Sequence, residues 1–498
     1  MTAEGWVPLA VVASSLLPGL VIFLLPEDRR GLRATLNLAA AFAKLGLVGL
    51  MLWNVGRFHE YEARMAVLPG LDLVLRADEL SLLFMTLSAL LWLLTTVYAI
   101  GYLEDSPHRS RFFGFFSLCV SATAGIALAG NLFTLFVFYE ILTLVTYPLV
   151  IHRGTPAALA AGRTYLLYTL PAGALLLLAV AASQVLTGPQ DFVGAGYLKP
   201  FAAEHATALV LLFAALVTGF GVKAALVPLH GWLPLAMVAP APVSALLHAV
   251  AVVKAGAFAI VRVVYEMFGV EFAATLGVLT PLAVVAAVTI IYGSLRALMQ
   301  DELKKRLAYS TVSQVSYIVL GTALLGPVAT TGALVHLVHQ GLMKITLFFS
   351  AGNYAETLGV HHVSEMDGIG RRMPWTTAAF TVGALGMIGV PPVAGFVSKL
   401  YLGAGAALAG QWWAIGVLAV SSLLNAMYFL PVLHRAWFRP PNGPWPHEDG
   451  RGRDARPMLL LPVLLTALFS LGVGVLAAMP WSPLDWAYLI IRREYGGG

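Results

Sequence analysis

The chain has 498 residues, 59% of them hydrophobic and 11% charged, with a mean hydropathy of +0.83 and a net charge of +5. This composition excludes a soluble globular protein and describes a polytopic membrane protein. The basic residues gather mainly at the ends of apolar runs, which points to membrane topology and lipid headgroups and away from nucleic acid.

Apolar runs of about 20 residues, each long enough to cross the hydrocarbon as a helix, recur from Trp6–Leu25 to Met458–Met479 and number about fourteen. Met1 to Gly5 carry no basic stretch and no cleavage site follows, so the first run reads as a retained helix. Connections taken alternately from the N-terminus divide the basic residues unevenly. The odd-numbered ones hold 18 of the 30 Lys and Arg, including Arg451 and Arg453, and the even-numbered ones with the termini hold 7. The positive-inside rule then puts both termini outside, in a bacterial cytoplasmic membrane. No strand pattern, phosphate-binding loop or dinucleotide fingerprint is recognisable, and the single cysteine, Cys119, excludes an internal disulfide or a cysteine-held iron–sulfur cluster. No cofactor and no metal are expected.

Two spans are interrupted. One runs from Gly219 through Lys223, Pro228, His230 and Pro234 to Pro240 and Pro242; the other runs from Gly386 through Pro391 and Pro392 to Lys399. Proline removes a backbone donor and clashes with the preceding turn, so both should break near mid-membrane, and paired breaks are the best sequence pointer to a transport site. As spans seven and twelve they lie five apart. Residues 106–268 then form a five-helix repeat of spans 4–8 and residues 269–438 its inverted copy of spans 9–13. Residues 1–105 supply helices 1–3, and 439–498 a loop and the last helix. The expected fold is an all-α bundle with two inverted five-helix repeats, each containing a Pro-broken helix.

Charges inside these runs are the functional signal, because each costs at least ~2.5 kcal/mol in hydrocarbon. Glu140 is central in its span, and Lys223 on the first broken helix is its expected partner, either as a gate or as a structural ion pair. Lys254 is central in the next span, where desolvation disfavours a charged amine and suits it to exchanging protons. His336, His339 and Lys344 share one span, with the histidines three apart on one side as in a proton relay. His230 and His248 border the first break as relay members or as stabilisers of freed carbonyls, and Lys399 stands at the far end of the row unless it snorkels outward.

These residues resemble a family. Lys223 to Arg262, Phe138 to Glu140, Asp301 to Gln314 and Pro391 to Lys399 are similar to the antiporter-like subunits of complex I and of Mrp-type multisubunit cation/proton antiporters. The resemblance covers roughly residues 75 to 440. It implies a fourteen-helix fold, a Glu140–Lys223 pair, and a proton path through Lys254 to Lys399. Lys399 sets apart only the M type of complex I, which resembles this site with a glutamate, since the N and L types also carry a lysine. The short chain beyond the last span (Arg492 to Gly498) lacks the lateral helix of the L type and the extension of Mrp A, and the run Gly368 to Pro374 with Gly389 to Gly395 resembles the D type most. Gln340 departs from the family, in which many relatives have histidine, so the relay between the two halves is open to running through His336 and His339 instead. The expected function is proton translocation in a Na+/H+ antiporter. The expected partners are other hydrophobic subunits, the lipid bilayer, protons and Na+, but no nucleic acid. The alternatives are a proton-pumping subunit of a redox complex, a partner in inorganic-carbon uptake, or a scaffold that no longer conducts. No cluster of membrane Asp and Asn marks a sodium site, so a sodium path would belong to a partner subunit.

Overall fold

A computed structural model describes residues 5–55, 61–103, 106–448 and 454–495. Arg451 and Arg453, which enter the topology count, and the chain end at 496–498 lie outside the described residues. The first helices are α1 (Trp6–Phe23), α2 (Arg30–Val55), α3 (Glu79–Tyr102) and α4 (Arg109–Ala127). They are followed by α5 (Leu132–Val150), α6 (Pro156–Thr187) and α7 (Ala202–Lys223). Several starts are fixed by side chains that accept an otherwise orphaned backbone N–H: Asp78 from Ser81, Asn131 from Thr134, and Thr155 from Ala158, with Pro156 at the first turn.

Beyond the first break come α8 (Trp232–Leu235), α9 (Ala241–Ala245), α10 (Val252–Arg262) and α11 (Val270–Thr275). Residues 246–250 and 263–268 are π-helical turns, so 241–268 is one membrane span with two wide turns. The second half holds α12 (Leu279–Leu298), α13 (Leu303–Ala323) and α14 (Pro327–Leu358). Then follow α15 (Ile369–Arg372), α16 (Pro374–Ile388), α17 (Ala394–Leu408), α18 (Trp412–Phe438), α19 (Pro457–Val475) and α20 (Pro483–Tyr495).

Twelve helices among the described residues are long and apolar enough to span a membrane. Two further crossings complete the expected number. One is α13, whose Lys304, Lys305 and Arg306 and many hydroxyls lower its hydropathy; nearly all of it is enclosed by protein, so it has little need of a lipid-facing surface. The other is the broken pair α16 and α17, too short singly and adequate together. The protein is thus a mostly α polytopic membrane protein.

The expectation that no strand is present is corrected. β1 (Tyr61–Leu68) and β2 (Leu71–Ala77) form an antiparallel hairpin between α2 and α3, with Tyr61 opposite Ala77. Apolar residues alternate with Asp72 and Arg76 in β2, and Pro69–Gly70 turns the chain with Gly70 at φ 78°. The hairpin caps one end of the bundle, where Gly130 N–H donates to Val74 O at 2.8 Å and Arg76 binds Asp191 at 3.0 Å.

At that same end α20 is clamped to the bundle. Arg493 reaches Glu266 at 2.7 Å and Glu79 at 3.2 Å, and the Trp486 indole donates to Glu79 O at 2.7 Å. Arg262, with no exposed surface, binds Asp78 at 2.7 Å, Ser81 Oγ at 2.6 Å and Glu266. Each buried charge here has an opposite partner, which keeps the desolvation cost from falling on a bare ion.

Candidate proton path

Each break has a lysine beside it. Helix α7 terminates at Lys223, and residues 224–231 are unwound, with Ala225 at φ 57°. Helix α16 terminates at Ile388; Lys399, one turn into α17, turns back to donate to Met387 O and Ile388 O, both at 2.9 Å, and to Ser422 Oγ at 3.0 Å. A helix C-terminus presents unpaired carbonyls and a partial negative charge, so the Lys399 ammonium at the end of α16 satisfies groups that lipid could not. Lys399 therefore points inward and does not snorkel.

Glu140 and Lys223 lie near enough for their charges to act on each other, but they do not make the direct ion pair expected. The Lys223 ammonium donates to the carbonyl of Tyr139, one residue before Glu140, and lies 3.4 Å from the Tyr139 ring centroid. The Glu140 carboxylate turns toward α6 instead. A Cβ built on Gly173 would lie 2.7 Å from the carboxyl carbon of Glu140, so a side chain there would displace the carboxylate from this position. Among the described residues no ion pair joins Glu140 and Lys223, and Glu140 Oε1 is buried without a hydrogen bond.

Lys254 lies on α10, just after the first π-helical turn, and is fully buried. Its Nζ donates to Leu337 O on α14 at 2.7 Å. Gly256 allows α10 to lie against the end of α7, since a Cβ there would sit 2.8 Å from the carbonyl carbon of Lys223. One residue before Leu337, His336 Nδ1 lies 2.8 Å from Ser398 Oγ on α17, and its ring stacks on Tyr317 with centroids 5.2 Å apart. Lys399 Nζ is 5.3 Å from the same Tyr317 ring.

A second run is not anticipated from the sequence. Lys344 donates to Ser310 Oγ at 2.8 Å; the Tyr428 hydroxyl lies 2.9 Å from that oxygen and donates to Asn425 Oδ1 at 2.6 Å. Asn425 Nδ2 then donates to Met387 O at 3.0 Å, the same oxygen that Lys399 binds. Lys344 and Lys399 are thus joined by hydrogen-bonding groups on three other helices, α13, α18 and α16. Ser310, Asn425 and Tyr428 carry no sequence signal of their own, being ordinary polar residues on spans far apart in the chain.

The remaining candidates stand apart from these contacts. His339 and Gln340 are buried in α14, and none of their side-chain N or O atoms has a hydrogen-bond partner. His248 stacks on Phe348 at 4.5 Å, again with neither ring nitrogen hydrogen-bonded. His230 packs edge-on against Tyr292 at 4.9 Å, near the end of the bundle that holds Arg296. Among the described residues no group of three or more His, Cys, Asp and Glu is placed to hold a metal ion.

A bundle of this size with two broken helices and a buried row of lysines defines a class of ion-translocating membrane subunit. Residues 129–425 match the family described as NADH:quinone oxidoreductase/Mrp antiporter, TM, and residues 70–113 match the N-terminal family of complex I chain 5. The chain belongs to this family of antiporter-like subunits. It is 39% identical over 419 residues to the N subunit of NADH-quinone oxidoreductase of Desulforudis audaxviator, covering 82% of this chain and 81% of the relative. It is 29% identical over 407 residues to the D-type member of the Na(+)/H(+) antiporter of Bacillus subtilis, covering 80% of each. Among solved structures, a chain of the Mrp complex from a Dietzia species superposes with a TM-score of 0.87 at 26% identity, covering 100% of this chain and 98% of that one. A chain of an archaeal membrane-bound sulfane sulfur reductase shares the fold, with a TM-score of 0.86 at 24% identity over 98% of each.

Proposed function

We propose that this chain translocates protons as one subunit of a multisubunit Na+/H+ antiporter, along Glu140, Lys223, Lys254, His336, Lys344 and Lys399. The observation that carries this reading is the convergence of Lys399 and the Lys344–Ser310–Tyr428–Asn425 run on one carbonyl, beside His336 and within reach of Lys254 through Leu337. Amines, hydroxyls and an imidazole can pass a proton between them with water bridging the gaps left by the Asn425 amide and the Met387 carbonyl, and burial shields the exchange from lipid and bulk water. Lys223 held on Tyr139 is the open state of a gate; its closure onto Glu140 would pair the two charges and alter the field at Lys254.

In this reading residues 106–268 and 269–438 are inverted halves, each contributing one break with its lysine. The termini lie outside a bacterial cytoplasmic membrane, and the partners are small hydrophobic subunits that complete the sodium path. The D-type similarity and the full-length superposition on a Mrp complex chain support the antiporter. The N-type similarity, at higher identity, favours a second reading in which the same row serves a redox-driven complex.

Purification of the tagged chain from its native membrane in mild detergent separates the two readings by the subunits that accompany it. Hydrophobic antiporter subunits support the first, flavin and iron–sulfur subunits the second. In vesicles holding the assembled complex, Lys254→Ala is expected to abolish cation-driven proton movement while leaving assembly intact. Full flux in that variant would overturn the proton-path assignment.

A further inference from the structure

One buried lysine stands outside the row. Lys44 is midway along α2, has no exposed surface, and faces into the bundle although much of α2 faces outward. Its Nζ donates to Ser15 Oγ on α1 at 2.8 Å and lies 5.3 Å from the Trp92 ring on α3. No carboxylate meets it among the described residues. Helix α1 carries no charged residue; on α3 the Tyr98 hydroxyl donates away to Phe349 O, and on α4 Cys119 Sγ lies against Thr146 Oγ1. The lysine is therefore not half of an ion pair that fastens two helices together. An ionisable side chain turned inward at mid-membrane is retained for function more often than for packing, since an apolar residue fills the same space at lower cost.

A buried polar seam leads to it. The inward face of α2 carries Arg33, Asn37 and Lys44, and the facing side of α4 carries Ser110, Ser117 and Ser121. Arg33 donates to Ser110 Oγ at 2.5 Å, Asn37 Nδ2 to Arg33 O at 2.9 Å, and Ser117 Oγ to Asn37 Oδ1 at 3.2 Å. Ser121 Oγ continues the line by donating to Val12 O at 2.9 Å, one turn before Ser15. From Asn37 to Lys44 is two helical turns, about 10 Å. On the far side, α3 stands between α2 and α14. There the Ser88 and Thr96 hydroxyls and the Trp92 indole N–H are fully buried with no hydrogen-bond partner.

The geometry points to Lys44 as a second proton-carrying site, reached from the arginine-rich end along the α2/α4 seam and facing the central row across α3. Its amine accepts a proton arriving along the seam to become an ammonium, and returns to the amine by releasing that proton toward the Ser88 and Thr96 hydroxyl oxygens, which flank the Trp92 ring. This rests on the proposed proton-translocating function.

The test uses the assembled complex in sealed vesicles, with cation-driven proton movement as the readout and the unaltered complex as reference. Lys44→Met keeps the shape of the side chain and removes the titratable amine; it is expected to cut the rate at least about fivefold. Lys44→His is expected to recover much of that loss, with a pH profile displaced toward acid because imidazole titrates lower than an amine. Wild-type flux in Lys44→Met, or a Lys44→His variant that recovers nothing or leaves the pH profile unmoved, overturns the proposal. Should Lys44→Met fail to assemble, Ser15→Ala decides: a reduced rate supports the site and an unchanged rate overturns it. Absence of proton movement in the unaltered complex would instead overturn the function on which the site depends.

Discussion

Lys399 and Asn425 donate to a single acceptor, the main-chain oxygen of Met387, at 2.9 and 3.0 Å. That oxygen lies in the last turn of α16, left without a helical partner where the chain breaks. The break, the lysine and the run from Lys344 are therefore one structure. Tyr428→Phe removes one hydroxyl from it and little volume. A lost hydrogen bond of about 1 kcal/mol predicts a roughly fivefold lower proton flux with assembly unchanged, measured in vesicles.

Gly173 sets the position of Glu140. Any side chain at 173 must meet the carboxylate, and the nearest oxygen would be 2.5 Å from a new Cβ. Gly173→Val is expected to displace Glu140 and lower flux about as much as Glu140→Gln, whereas Gly403→Ala, with open space around its Cβ position, leaves flux unchanged. Parallel flux measurements on the three variants check this.

Arg262→Ala would leave Asp78 and Glu266 as buried carboxylates beside Arg493 alone. Removing one partner from a buried ionic cluster costs about 3–5 kcal/mol. The expected result is a markedly lower unfolding temperature in detergent, read by loss of the monodisperse peak after heating.

Glu494 on α20 lies outside the membrane spans. Burial, reinforced by Glu266, pushes its carboxyl up to about 8, against the pull of Arg493 and the Ala195 N–H. Undocked, the group titrates near the ordinary carboxylate range, so between that range and about pH 8 the docked helix holds a proton that the free helix releases. Docking of α20 should weaken as pH rises through this window and be strongest below it. Hydrogen exchange of the α20 amides between pH 5 and 9, corrected for intrinsic rates, is expected to show the loss, and Glu494→Gln to flatten it.

The five charges of the central row are legible because each interrupts an apolar run, and the breaks because Pro228, Pro391 and Pro392 cannot continue a helix. Lys223 and Glu140 do come to neighbouring helices, but the carbonyl of Tyr139 takes the ammonium while the Glu140 carboxylate lies against Gly173, an arrangement invisible in a linear pattern. Ser310, Asn425 and Tyr428 give no warning for a related reason: hydroxyls and amides are common in membrane helices, and only tertiary packing makes three of them adjacent. The hairpin is hidden because strands of seven and eight residues alternate too briefly to stand out among long apolar helices.

Lys254, His336 and Lys344 are completely enclosed, while Glu140 and Lys399 at the two ends of the row keep some exposed surface. Glu140 and Lys254 each sit near the middle of a span, and Lys399 beside a mid-membrane break, so the row runs within the plane of the bilayer more than across it. A transmembrane voltage does about 2.3 kcal/mol of work per elementary charge per 100 mV along the membrane normal, and almost none on a charge displaced sideways. Voltage sensitivity would then belong to the steps that load and unload the row. Transfers between its members would be electrically silent, driven by the local fields of the neighbouring lysines.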